Sequence, residues 1–284
     1  MKDTIIKRHD RYNVDDTWRK VKPSNPKDFL KRFIKLTYSG HAIECHGASQ
    51  DWGCILSSLD IHSRKKNIPI ELRKTKETML LETFAKKADT YFPSGERRLI
   101  EVANLKWKTF RNTGTVFVGR HYGLPTRCVD WTGDPFIALF FACQRDHDKS
   151  GVVWWMDYKN FSDAIASQWM PFYGKKKNIE DDFEKDFVDG NDKNILVRFH
   201  YPDWMDRPTK QKAWITLSGR FDIHHDEAIH RLGVRKCGRL IIRPEMKSYL
   251  LNKLDRWGIN NTMLGISNSQ VKIIANEIAD KVFS

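Results

Sequence analysis

Patterns that bind metal or form disulfides are missing from this sequence. Its five cysteines, Cys45, Cys54, Cys128, Cys143 and Cys237, are odd in number and include no CxxC pair. Neither a disulfide framework nor a zinc site is indicated, and the scatter suggests a reducing compartment. No run approaches the roughly 18 apolar residues of a membrane span, and the opening MKDTIIKRHD lacks the apolar core of a secretory signal. A cytoplasmic chain with no membrane partner is expected. Acidic residues crowd between Glu180 and Asp192, yet the calcium-loop spacing with its fixed glycine is absent, so no metal is expected there. His224, His225 and His230 are not spaced to set two ligands one helical turn apart, and they are expected in a loop.

What the chain has in excess is positive charge. Over 284 residues the formal net charge is +13, unevenly placed. Residues 1–120 hold 25 Lys plus Arg against 14 Asp plus Glu, giving +11; residues 121–284 hold 24 against 22, giving +2. Besides keeping a surface solvated, such a field favours a polyanionic partner, with nucleic acid first and an anionic cofactor or acidic protein next.

The length suits one large domain. Residues 1–24 are polar and read as a loosely docked arm whose end Trp18 pins. Asn25 and Pro26 open a helix with Phe29, Leu30, Phe33 and Ile34 on one face and Lys27, Lys31, Arg32 and Lys35 toward solvent. Residues 42–46 read as a strand. A long helix is expected over 68–92, its Glu77 and Glu82 as salt-bridged surface carboxylates, and a second over 99–110, ending near Gly114. Strands are expected at 152–156, 195–199, 213–217 and 239–242. Residues 158–193 read as a charged insertion, either a solvated helix or a mobile loop. Pro244 opens a helix with Met246, Leu250, Leu254 and Trp257 inward and Gly258 as its stop, and Ser267 with Gln270 caps a final helix.

The centre of the chain is the stretch RHYGLPTRCVDWTGDPFIALFFA, Arg120 to Ala142. Asp134 and Pro135 form an N-cap and first helical position, and Phe136 to Ala142 run without a polar residue, as in a helix buried on all sides. His121, Tyr122, Arg127, Asp130, Trp131 and Thr132 would then cluster near its positive end. Two readings stand side by side: a ligand site, or a hydrogen-bonded knot that fixes the turn. Tyr122 and Trp131 read as packing residues.

This stretch resembles the signature of FRG-domain proteins. Counting back from Asp51 and Trp52 puts the family's Phe-Arg-Gly tripeptide on Cys45, His46 and Gly47, with Ser57 and Arg64 matching later positions. His46 replaces the signature arginine. Downstream, Gly219, Phe221 and His224 match, and Leu217 stands where the family has glutamine. The tripeptide is itself similar to the first-strand motif of one class of ADP-ribosyltransferases, and His46, Gly47, Ala48, Ser49 is similar to that of a second class. The resemblance implies an α+β fold, ADP-ribosyltransferase-like: a single domain over 25–284 with a helical first half and a mostly antiparallel sheet around a buried helix at 134–144. It implies NAD as cofactor, with His46 and Gly47 at the ribose, Tyr122 or Trp131 at the nicotinamide, Arg127 at phosphate, and Asp130 as the catalytic acid. Arg64, His121 and Thr132 complete the implied cofactor set. A toxin or anti-phage effector is the implied role. A non-catalytic module that binds nucleic acid or an acidic protein is the alternative, since His46 and Leu217 depart from the pattern.

Overall fold

The computed structural model describes residues 12–91, 113–173, 196–201, 205–266 and 270–284. The helix expected over 99–110, the acidic stretch from Glu180 to Asp192 and the Ser267 cap lie outside them. Seven strands form one sheet: β1 (Arg19–Val21), β2 (Ile43–Ala48), β3 (Cys128–Thr132), β4 (Gly151–Asp157), β5 (Leu196–His200), β6 (Ala213–Ser218) and β7 (Cys237–Ile242). Their order is β1-β7-β4-β2-β3-β6-β5, and every pair is antiparallel except β1 with β7. The fold is α+β, as expected.

Eleven helices are described: α1 (Val14–Thr17), α2 (Pro26–Thr37), α3 (Ser58–Lys65), α4 (Ile70–Tyr91), α5 (Thr113–His121), α6 (Pro135–Cys143), α7 (Tyr158–Tyr173), α8 (Asp206–Lys210), α9 (His225–Arg231), α10 (Pro244–Arg256) and α11 (Gln270–Phe283). Local chemistry explains several of their starts. Asn25 accepts from the Asp28 amide at 2.9 Å at the head of α2, and Asp134 accepts from the Phe136 amide at 3.1 Å at the head of α6. Ser57 and Asp60 form a reciprocal capping box on α3.

The α6 helix is the central buried element. Ile137, Ala138, Leu139, Phe140, Ala142 and Cys143 are all buried, and α2 and α10 pack around it over β2, β4 and β7. It lies almost against the sheet because glycines make room. A Cβ on Gly47 would sit 1.9 Å from the Ala138 carbonyl oxygen, and one on Gly151 would sit 2.2 Å from that of Ala142. Gly47→Ala must therefore push backbone from backbone. It is expected to cost at least the roughly 1–3 kcal/mol of ordinary overpacking, read as a lower midpoint in urea unfolding; an unchanged midpoint would mean that α6 does not rest on β2.

On the same face of the sheet, α4, α5 and α11 cover β3, β6 and β5. The opposite face carries a layer rich in tryptophan: Trp18, Trp131, Trp154 and Trp214, packed with Phe161 of α7 and Ile229 of α9.

Several local expectations are corrected. Trp18 pins the end of the arm, as expected, being fully buried, and beyond that expectation β1 pairs with the edge of β7 through Arg19↔Gly238 to Val21↔Leu240. Residues 158–173 of the expected insertion are a helix, one of its two readings, but one that packs Phe161 into the core rather than being wholly solvated. Ile34 is exposed, because α2 turns only Phe29 and Phe33 fully inward. Trp257 is half exposed, edge-on to Phe136 at 5.6 Å. Glu77 is buried rather than on the surface, for the reason given below.

Candidate functional site

The two central strands β2 and β3 pair only at Cys45↔Thr132. Beyond that point they part, while β2 continues in full register with β4 from Ile43↔Asp157 to Ala48↔Val152. His46 stands at the parting. Its Nδ1 lies 2.8 Å from the Asp130 carbonyl oxygen, so the imidazole bridges the gap that a strand-to-strand hydrogen bond would otherwise close. A carbonyl only accepts, so Nδ1 carries the proton. Burial holds the His46 pKa below its ordinary value, partly offset by that bond, and the neutral ring keeps Nε2 as an acceptor.

Asp130 is the second component. Its side chain is 39 % exposed, and its carboxylate is gripped by Arg120 on one oxygen and by the Tyr201 hydroxyl at 3.1 Å on the other. Burial and then the Asp130 charge push the Tyr201 phenol well above its ordinary pKa, so it stays a donor. His121 lies next to them, 6.4 Å from Tyr201 and 4.8 Å from Tyr122 between ring centroids, with its carbonyl bonded by Arg207 at 3.3 Å. Burial, followed by Arg207, lowers the His121 pKa to about 4, so this imidazole is neutral.

The remaining residues of the expected site are placed otherwise. Arg127 is buried and turned to Glu77, with its Nε 2.9 Å from one carboxylate oxygen and its backbone amide 2.7 Å from the other; its guanidinium lies 4.2 Å over the Phe221 ring. Trp131 is buried, stacks on Trp214 at 5.8 Å and donates to Thr216 at 2.9 Å, so it packs rather than faces a ligand. Tyr122 packs against the α4 and α11 side of the core. Thr132 donates to the Gln211 carbonyl at 2.7 Å and accepts from the Asp134 amide at 3.0 Å, which fits the turn-fixing knot. Gly47 receives α6, as described above. Arg64 is exposed and makes its contacts with His224, at 3.2 Å, and with the Trp52 ring. The positive end of α6 does not collect these groups: it is occupied by its own cap, Asp134, which Lys212 pairs at 3.0 Å.

The residues that the resemblance implies for one NAD site therefore do not gather in one place: Arg127 lines a hollow that neither His46 nor Asp130 lines. Apart from the His46–Asp130 parting is a small hollow whose lining includes Ser57, Asp60, Arg73, Arg127, Arg220 and His225, of ≈ 10 Å³, room for about one water. His225 links the two. It is 2 % exposed, its Nε2 has no hydrogen-bond partner among the described residues, and the His46 imidazole acts on it electrostatically. Burial lowers its pKa to about 4. His225 opens α9 rather than sitting in a loop, and with Arg120, Tyr201 and Glu77 it belongs to the set that sequence reasoning did not single out for this site. Among the described residues, no group of three or more His, Cys, Asp or Glu is arranged to hold a metal, and no helix is long and apolar enough to cross a membrane.

An α+β domain whose sheet parts at a histidine, with the signature strand and buried helix beside it, is the class that these observations define. Residues 46–151 match the family model of the FRG domain. No curated protein and no solved structure gave a significant match.

Proposed function

We propose that this protein is an effector of bacterial and phage conflict, a toxin or defence factor, that binds NAD beside His46 and transfers its ADP-ribose to a macromolecule. The observation that carries the reading is the meeting of His46 with Asp130 where β2 and β3 part. A histidine locked by one nitrogen offers the other to a ribose hydroxyl, and the residue whose carbonyl locks it carries a partly exposed carboxylate. Bound NAD supplies a glycosidic bond with nicotinamide as its leaving group. His46 accepts a hydroxyl hydrogen at Nε2 and fixes the sugar. Asp130 faces the positive charge that develops as the bond to the leaving group stretches, and Arg120 and Tyr201 hold its carboxylate in place. Arg127, committed to Glu77, serves as wall.

The test measures nicotinamide release, and transfer of labelled ADP-ribose to nucleic acid and to protein, by the intact chain and by His46→Ala and Asp130→Asn. Asp130→Asn is expected to slow release by about 10²–10³-fold, the scale of losing one electrostatic contact to a transition state. Equal rates in Asp130→Asn and the parent would overturn the assignment of Asp130. The second reading, a non-catalytic binding module, is favoured by the fact that both Asp130 oxygens already have partners. Absence of nicotinamide release from the intact chain, with a thermal shift on adding oligonucleotide, would establish it.

A further inference from the structure

We infer that the solvent face of α2 is a docking surface for single-stranded nucleic acid. From Trp18 to His41 the chain carries seven Lys or Arg, at 19, 20, 22, 27, 31, 32 and 35, and one acid, Asp28. All seven bases are exposed. Asp28 is already taken by Arg32 at 2.8 Å and by the Ser24 amide at 3.0 Å. Lys27, Lys31 and Lys35 have no ion-pair partner among the described residues, and four-residue spacing sets them in one stripe opposite the buried Phe29 and Phe33. They rise about 6 Å from one to the next, a ladder of point charges that tracks a phosphate backbone. At the end of the stripe stands Tyr38, 76 % exposed, with Ile34 also exposed on the same face.

The aromatic decides between partners. A polar, charged stripe alone serves any polyanion, whereas an exposed ring following the charges gives an unpaired base a surface to stack on. A lipid surface fits poorly, because a membrane-lying helix buries its broad apolar face in the bilayer. Here that face, Phe29 and Phe33, is used up in the core beside α6. The surface is independent of NAD and of the His46 site. Its location near the start of the domain accounts for part of the +11 carried by residues 1–120.

The test is fluorescence anisotropy of the intact chain with a labelled oligothymidylate, without NAD, between about 50 and about 200 mM salt. The parent is expected to bind with an affinity that falls steeply with salt. Lys27→Gln, Lys31→Gln and Lys35→Gln together should weaken binding at least about tenfold and flatten the salt slope by about 2, the share of three backbone phosphates on a single strand. Tyr38→Ala should weaken binding by about fivefold or more, the scale of one stacked base. The triple change Lys149→Gln, Lys236→Gln and Lys281→Gln, equal in charge and also exposed, should leave most of the binding. Equal losses in the two triple variants, unaltered binding by Tyr38→Ala, tighter binding to duplex, or binding to phosphatidylserine vesicles but not to the oligonucleotide would each overturn the proposal. Failure here would leave the transfer reading standing, because nicotinamide release is read without nucleic acid.

Discussion

Glu77→Leu is expected to destabilise the protein by about 3–5 kcal/mol, the range for breaking a buried ion pair from one side. Glu77 is 3 % exposed and holds both the guanidinium and the backbone amide of Arg127. Removing it leaves a buried cation without its carboxylate and a buried amide without its acceptor, and each is costly. The pair itself is worth much less than that loss, because both charges are taken from water to make it. Glu77→Leu with Arg127→Met should accordingly recover most of the stability in urea unfolding. If the single variant lost less than about 1 kcal/mol, the ordinary surface range, Arg127 would have to be solvated elsewhere and its place as a wall would fall.

A loss of similar size is expected from Phe140→Ala: about 3–5 kcal/mol, as for other large buried aromatics. Phe140 is 5 % exposed, edge-on to Phe141 at 5.7 Å, and belongs to the cluster shared by α6, α2, α10 and the sheet. Chemical denaturation monitored by tryptophan fluorescence gives the number. A loss below about 1 kcal/mol would mean that the helix is not packed on all sides.

The elements that sequence made legible are those whose cause is local. Asp134, Pro135 and the apolar run after them specify α6 within ten residues, and the Ile, Val and Trp runs specify β4, β6 and β7 in the same way. What was missed depends on partners far along the chain. Glu77 reads as a surface carboxylate because the lysines within helical reach are near in sequence, but its true partner lies 50 residues on. Tyr201 reaches Asp130 over 71 residues, and His46 reaches it over 84, so neither contact has a local trace. The meeting of His46 with the signature strand was anticipated from the family pattern alone. The start of α3 was present as Ser57 and Asp60 at capping-box spacing, a signal that the small, polar text around it obscured. Leu217, where the family has glutamine, is buried opposite Cys128, so the position serves packing here.

The seven-stranded sheet also bears on how copies of the chain behave toward each other. A long, flat outer strand is a template onto which another chain can add, and it invites aggregation. Among the described residues, neither margin of this sheet offers one. At one side β1 is three residues long and bears exposed Arg19 and Lys20; at the other, the Gln168 side chain covers both backbone groups of Leu196, where β5 begins. A docked N-terminal segment and one glutamine thus shorten the run of open backbone that each outer strand offers for β-addition.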